Sequence, residues 1–134
     1  MGAQVPVELK LLVAAVIIGF VQILWAAAAG SGGERNFAWL AGPRDDHRPV
    51  NVVAARLDRA LKNFLETFPL FAAALIACIF TQKLGSLTLY GSGLYVIARA
   101  LYVPLYASGV AFVRTLVWVA SIVGIVMVVV AFFR

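Results

Sequence analysis

The stretch VAFVRTLVWVASIVGIVMVVVAFF, residues 110–133, contains one charged side chain, Arg114, in 24 positions. A helix needs about 20 mainly apolar residues to cross the hydrocarbon core of a bilayer. A half-buried strand would alternate apolar and polar residues, and this stretch does not. We therefore predict that residues 110–133 form a transmembrane helix.

Three further apolar runs precede this one, at residues 11–29, 64–80 and 84–106, and the last two contain one charge each, Glu66 and Arg99. Backbone polar groups in lipid must be satisfied within the spanning segment, and a β-barrel needs more segments than this chain holds. The sequence therefore predicts an all-α integral membrane protein, with one domain at residues 1–134 built as an antiparallel bundle of four transmembrane helices. The predicted helices lie at about 7–30, 52–82, 84–108 and 110–133.

The composition excludes other classes of protein. Hydrophobic residues make up 63% of the chain and charged residues 13%, whereas soluble domains are about half apolar and a quarter charged. Disorder needs low hydrophobicity and high charge, so it is excluded as well. The single Cys78 forms no internal disulfide, and with His47 placed in a loop we expect no metal site.

The positive charges predict the orientation. The connection at about 31–51 and the start of the following helix are rich in Arg and Lys, whereas the opposite side has only Lys10, Lys83 and Arg134. By the positive-inside rule, the long loop is cytoplasmic and both termini lie on the other side. Topology thus accounts for most of the net charge of +5, and no nucleic-acid partner is expected.

Polar residues recur at helical spacing within two of the predicted spans. Residues three or four apart share one face of a helix. The second predicted helix has such a stripe at Arg56, Arg59, Asn63 and Glu66. The third has one at Tyr95, Arg99, Tyr102 and Tyr106.

Ionisable groups at membrane depth usually face a partner, a cavity or a ligand. The two stripes predict one shared cationic pocket with a carboxylate and several phenols. Such a pocket suits a small anion that also carries an ammonium group, because Arg grips carboxylates through paired hydrogen bonds and Glu66 can hold the ammonium. Two alternatives stay open: Glu66 forms only an ion pair with Arg59 or Arg99 that fixes helix packing, and the tyrosines only anchor the helices at the interface.

Residues 59–71, RALKNFLETFPLF, resemble the second-helix signature of the MAPEG superfamily, the membrane-associated proteins of eicosanoid and glutathione metabolism. The family pattern is Arg, then Asn four residues later, then Glu three further on, then an aromatic-Pro pair. Residues 98–102, ARALY, with Tyr106 resemble its third-helix motif. The resemblance covers essentially the whole chain and is closest to the short bacterial members.

The resemblance implies a homotrimer in the bacterial inner membrane, with glutathione as cosubstrate between adjacent subunits at the cytoplasmic ends of the helices. It implies a membrane-bound glutathione-dependent transferase or peroxidase acting on lipophilic electrophiles or lipid hydroperoxides that enter from the membrane lipids. Arg114 is the implied catalytic residue that activates the thiol. The implied glutathione-binding residues are Arg59, Asn63, Glu66, Arg99, Tyr102, Tyr106 and Arg35.

Two other functions are alternatives to this enzyme. One is a noncatalytic MAPEG-like accessory or lipid-binding subunit of a larger membrane complex. The other is a small multidrug exporter with four short spans, which usually needs a membrane-buried Glu in its first helix. The run at residues 11–29 contains no Glu, so the sequence disfavours the exporter.

Overall fold

The computed structural model describes residues 4–31, 35–46, 48 and 51–134, with Phe37 described by its backbone alone. The regular elements of these residues are helices, which confirms the predicted all-α class. In chain order they are α1 Val7–Gly30, α2 Phe37–Ala41, α3 Val52–Phe80, α4 Ser86–Ser108 and α5 Ala111–Phe132.

The long helices alternate in direction. At one end, here called the loop end, Asn51 Nδ2 donates to the Ala29 carbonyl at 3.0 Å, and Arg56 Nη1 donates to the Ala107 carbonyl at 3.3 Å. At the other end, here called the far end, Thr88 Oγ1 donates to Glu8 Oε2 at 2.7 Å. The start of α3 and the end of α4 therefore lie at the loop end, where the polar stripes also end.

Three of the described helices, α1, α3 and α5, are long and apolar enough to cross a membrane by length and composition. Helix α4 has 23 residues, about 34 Å of helix, but its tyrosines, serines and Arg99 make it less apolar. A crossing by all four long helices therefore stays a prediction. The outward faces are apolar, with Leu24 68% and Phe112 76% exposed, as expected of side chains that contact lipid.

Helices α4 and α5 approach closely at a pair of glycines. A Cβ built on Gly91 would lie 2.8 Å from the Gly124 carbonyl oxygen, and one built on Gly124 would lie 2.6 Å from the Gly91 oxygen. Small residues permit such close backbone contact between membrane helices. This crossing holds the two helices that carry most of the candidate site.

The long connection contains a one-turn helix, α2, where the sequence predicted only a loop. Asn36 caps it, since its Oδ1 accepts from the Trp39 backbone N–H at 2.9 Å. Short polar side chains are preferred at this position because they satisfy amide groups that have no partner within the helix. Helix α3 ends at Phe80, near the predicted 82, and Gln82 reverses the chain in a left-handed conformation with φ 59°.

Candidate functional site

Polar side chains from α3, α4 and α5 converge near the loop end. Arg99 Nη1 donates to Asn63 Oδ1 at 2.8 Å, which joins α4 to α3. Arg59 Nε donates to the Tyr106 hydroxyl at 3.1 Å, and the guanidinium carbon of Arg114 lies 4.4 Å from the centre of the Tyr106 ring. The structure thus brings together six of the eight predicted site residues. We call this group the polar cluster: Arg59, Asn63, Arg99, Tyr102, Tyr106 and Arg114.

Arg99 is the most deeply placed member of the polar cluster. Its side chain is 0% exposed, and its guanidinium carbon lies 4.2 Å from the centre of the Tyr102 ring. Its Nε and Nη2 make no hydrogen bond within the part of the chain that the structure describes. A buried charge is costly unless it is paired and hydrogen-bonded, so these two donors make Arg99 the least satisfied member of the polar cluster.

Tyr106 links the two other cations of the cluster. Arg59 binds its hydroxyl from α3, and Arg114 stacks on its ring from α5. The Tyr102 ring meets the Tyr106 ring edge-on, with centres 5.5 Å apart. The two phenols therefore contact three guanidinium groups between them: Tyr106 contacts Arg59 and Arg114, and Tyr102 contacts Arg99.

A cavity of about 210 Å³ opens beside these phenols. Its walls are formed by Asn63, Tyr102, Tyr106, Arg114, Thr115 and Trp118. Two of these residues, Thr115 and Trp118, were not predicted from the sequence. Trp118 lies four residues after Arg114, and this spacing places the two side chains on one face of α5. Ligand pockets usually have about 300–1,000 Å³, so this cavity by itself is below the usual range.

Glu66 is exposed and lines none of the described cavities. Across the described residues the ion pairs are Arg48 with Asp46 and Lys62 with Asp58, and neither includes Glu66. The alternative that Glu66 only neutralises Arg59 or Arg99 is therefore not found within the described part of this chain. Glu66 therefore has no ion-pair partner among the described residues.

Tyr95 does not join the polar cluster. Its ring stacks on Phe71 with centres 4.2 Å apart, and its hydroxyl is 2.9 Å from Thr67 Oγ1. Both tyrosine and threonine are buried. Tyr95 thus has the helical spacing of the predicted stripe but does not line the small cavity, because packing against α3 satisfies that phenol inside the core.

Arg35 lies in a second cavity of about 640 Å³ between α1, α2 and α3, and Arg59 lines this cavity too. The Nε of Arg35 donates to the Arg48 carbonyl at 2.8 Å. Arg35 is therefore beside the polar cluster, separated from Tyr106 by Arg59. In the described residues no group of three His, Cys, Asp or Glu side chains could hold a metal, and His47 lies outside them.

The connection also carries a perturbed carboxyl group. Asp46 accepts from Arg48 Nε at 3.0 Å and from Trp39 Nε1 at 3.0 Å. The hydrogen bond from Arg48 is the main cause of a pKa of Asp46 below its ordinary value. The charged form of Asp46 thus helps to fix Trp39 in the loop.

Comparison with known protein families identifies the family of this chain. The model of the MAPEG family matches residues 11–134, nearly the whole chain. The chain belongs to the MAPEG family, which confirms the resemblance seen at residues 59–71 and 98–106. Family and apolar helices together indicate an integral membrane protein of a family in glutathione and eicosanoid metabolism. No curated protein and no solved structure gives a significant match.

Proposed function

We propose that the protein is a membrane-bound, glutathione-dependent transferase or peroxidase that acts on lipophilic electrophiles or lipid hydroperoxides. The proposal places it in the bacterial inner membrane with the loop end in the cytoplasm and both termini on the opposite side. Membership of the MAPEG family supports the choice of glutathione. The geometry of the polar cluster supports the position of the site.

The observation that carries the proposal is the buried Arg99, whose Nε and Nη2 have no acceptor in the described chain. Arg59 and Arg114 lie nearby on the two sides of Tyr106. Glutathione brings two carboxylates, and hydrogen bonds between guanidinium and carboxylate are about twice as strong as those between neutral groups. A ligand carboxylate would therefore satisfy the buried guanidinium that the protein leaves unpaired.

The remaining residues take complementary roles in this proposal. Arg59 and Asn63 bind the peptide from α3, and Glu66 holds its ammonium group. Tyr102 and Tyr106 line the site, and Arg35 approaches from the second cavity. The contacts of Asn63 with Arg99 and of Tyr106 with Arg59 support this division because they pre-orient the cations.

Arg114 is the proposed catalytic residue. A free thiol has a pKa of about 8.5, so little thiolate exists at neutral pH. A guanidinium beside the sulfur stabilises the thiolate by charge and hydrogen bonding, and each unit of lowering corresponds to about 1.4 kcal/mol. Arg114 lines the small cavity, where it can contact the sulfur of a ligand held by the other cations.

The thiolate then attacks the second substrate. With an aryl halide, an S–C bond forms and the C–halogen bond breaks to release halide. With an epoxide, an S–C bond forms while one C–O bond breaks, and the oxygen takes a proton. With an activated alkene, an S–C bond forms and the neighbouring carbon takes a proton. With a hydroperoxide, an S–O bond forms while the O–O bond breaks, and the alkoxide takes a proton to leave as an alcohol. A second glutathione then reduces the sulfenic acid, which yields the disulfide and water.

An apolar groove supports the choice of a lipophilic second substrate. It measures about 380 Å³, shares Trp118 with the small cavity, and follows the outer face of α5 toward the far end. Its lining carries no polar surface: Leu87, Trp118, Val119, Ile122, Val123, Val126, Met127 and Val130. A hydrocarbon chain lying there would place its polar head beside Arg114.

A homotrimer is part of the proposal. The cavity of about 210 Å³ is too small for a tripeptide by the usual range of ligand pockets, and Glu66 is exposed on the surface of the chain. A neighbouring copy that covers this surface would enlarge the site and bring Glu66 to the ligand. Cross-linking in the native membrane, followed by mass measurement, checks the number of copies.

The test is turnover by the purified full chain in lipid nanodiscs. Glutathione is supplied with a panel of aryl halides, epoxides and fatty-acid hydroperoxides, and conjugates or alcohols are quantified by mass spectrometry. We expect product that depends on glutathione with at least one of these three substrate classes. The rate of product formation should be lower in Arg114→Ala. Glutathione binding without any product would instead favour a noncatalytic MAPEG subunit, and absence of binding would refute the site.

A further inference from the structure

The second cavity, between α1, α2 and α3, is strongly cationic and shares Arg59 with the polar cluster. Of its charged lining residues, four are basic and one is acidic. The acid, Asp58, already pairs with Lys62 at 3.2 Å. The cations are Arg35, Arg44, Arg59 and Lys62. The cavity of about 640 Å³ at the loop end therefore has a net positive charge, and two of its cations, Arg44 and Lys62, have no role in the proposed glutathione site.

Trp39 organises the charge on one side of this cavity. The guanidinium carbons of Arg35, Arg44 and Arg48 lie 4.8, 5.6 and 5.8 Å from its ring centre. The indole is buried and is held by Asp46, to whose carbonyl its Nε1 donates at 2.9 Å. Attraction between a guanidinium and an aromatic face is favourable, so Trp39 keeps three like charges close together.

Two of the three arginines that line the cavity, Arg35 and Arg44, bind backbone carbonyls. Arg35 Nε donates to the Arg48 carbonyl, and Arg44 donates to the Leu40 carbonyl through Nε and Nη2 at 3.0 and 2.8 Å. Neither belongs to an ion pair among the residues described here. Their positions are fixed while their charges stay uncompensated, which is the arrangement of a site for an anion.

The opposite wall of the cavity is apolar and is formed by a helix that is a candidate membrane span. Ile23, Ala26 and Ala27 line it from α1, a helix long and apolar enough to span a bilayer. Ile23 is also 45% exposed, so the wall continues into the lipid-facing surface of α1. A ligand in this cavity would therefore contact cations on one side and an apolar helix surface on the other.

We propose that this cavity binds an anionic phospholipid of the surrounding bilayer. Arg35, Arg44 and Lys62 hold the phosphate, and the acyl chains lie against Ile23 and the alanines of α1. Clustered Lys and Arg beside a membrane helix attract anionic headgroups, and the apolar wall favours a lipid over a free phosphate compound. This lipid site adjoins the proposed glutathione site and shares Arg35 and Arg59 with it, whereas Arg44 and Lys62 belong to the lipid site alone.

The experiment compares two double variants of the full chain by native mass spectrometry from detergent. R44Q/K62Q removes two cations of the cavity, and the matched control K83Q/R134Q removes two at the far end. Each protein is titrated with phosphatidylglycerol, with phosphatidylcholine, and with phosphatidylglycerol in the presence of glycerol phosphate. All four side chains are exposed, so we expect both variants to fold. Melting followed by circular dichroism checks this.

The proposal expects the wild type and the control to bind phosphatidylglycerol more tightly than phosphatidylcholine. R44Q/K62Q should lose roughly tenfold or more in phosphatidylglycerol affinity, since each cation near an anionic headgroup is worth about fivefold. Equal losses in both double variants, or no preference for the anionic lipid in the wild type, would overturn the site. Displacement of the lipid by millimolar glycerol phosphate would overturn the choice of a lipid.

Discussion

Arg99 on α4 and Asn63 on α3 are joined by a 2.8 Å hydrogen bond that occupies only one of the guanidinium nitrogens. The rest of the buried guanidinium faces Tyr102 and has no acceptor among the described residues. A helix contact needs only one such bond, whereas a ligand site needs the donors that remain. The first prediction separates these two roles.

Arg99→Met should leave the melting temperature of the ligand-free protein unchanged or raise it. The substitution removes a buried charge that has no carboxylate partner and replaces it with an apolar chain of similar length. Glutathione should raise the melting temperature of the wild type and leave that of Arg99→Met unchanged, because a bound ligand stabilises the folded state. Thermal melting in detergent with and without glutathione measures both effects.

The control for this variant is Arg56→Met. Arg56 donates to the Ala107 carbonyl and contacts Gly109 at the loop end, outside the small cavity. Its replacement should preserve the shift caused by glutathione. A wild-type shift retained in Arg99→Met would show that Arg99 only joins helices.

Arg114→Ala should reduce the fraction of bound glutathione present as thiolate. The guanidinium stacks on Tyr106 and lines the small cavity, so its removal takes away the nearest positive charge for the sulfur. Thiolate absorbs in the ultraviolet, and difference spectra over a pH titration follow it. The apparent thiol pKa should rise toward about 8.5 in the variant. An identical titration curve would remove Arg114 from the mechanism.

Gly124→Ala should destabilise the contact between α4 and α5. The new methyl group would lie 2.6 Å from the Gly91 carbonyl oxygen and 2.9 Å from the Tyr95 backbone nitrogen, so a backbone must move. Overpacking of this kind costs about 1–3 kcal/mol. Gly93→Ala is the matched control, because nothing lies within 4 Å of its added Cβ. Denaturation in mixed micelles compares the two, and equal stabilities would contradict the close crossing.

Acid should release Trp39 from the loop only below about pH 4. The hydrogen bond from Arg48 lowers the pKa of Asp46, so the folded loop favours the carboxylate form. Its stabilisation is complete above the ordinary value of about 3.9 and is lost as pH falls through the lowered pKa. The fluorescence of Trp39, obtained by subtracting the spectrum of Trp39→Phe from that of the wild type, should change in this pH range. Asp46→Asn should abolish the transition, and a midpoint above pH 5 would contradict the assignment.

The sequence predicted much of the polar cluster because helical spacing is local. Arg59 and Asn63 share a face of α3, as Arg99, Tyr102 and Tyr106 share one of α4, and a helix fixes those faces without tertiary information. The family signature then supplied Arg114, whose position depends on how α5 meets α4. Confirmation of the family explains why residues 59–71 were informative.

Other features depend on packing that no spacing rule shows. Tyr95 lies at the same helical spacing as Tyr102 and Tyr106, yet it packs in the core against Phe71 and Thr67. Arg35 sits in the second cavity because α2 folds the connection back over α1 and α3. The α2 helix itself depends on one capping residue, Asn36, within a polar loop.

The most direct test of the glutathione site is its affinity measured by isothermal titration calorimetry in nanodiscs. Arg59→Ala and Glu66→Ala should each weaken binding about tenfold or more, since charged hydrogen bonds contribute about 1.5–3 kcal/mol, and the proposed trimer should still assemble. Lys62→Ala, which removes an exposed cation paired with Asp58, should bind like the wild type. Wild-type affinity in both Arg59→Ala and Glu66→Ala would contradict the proposed site.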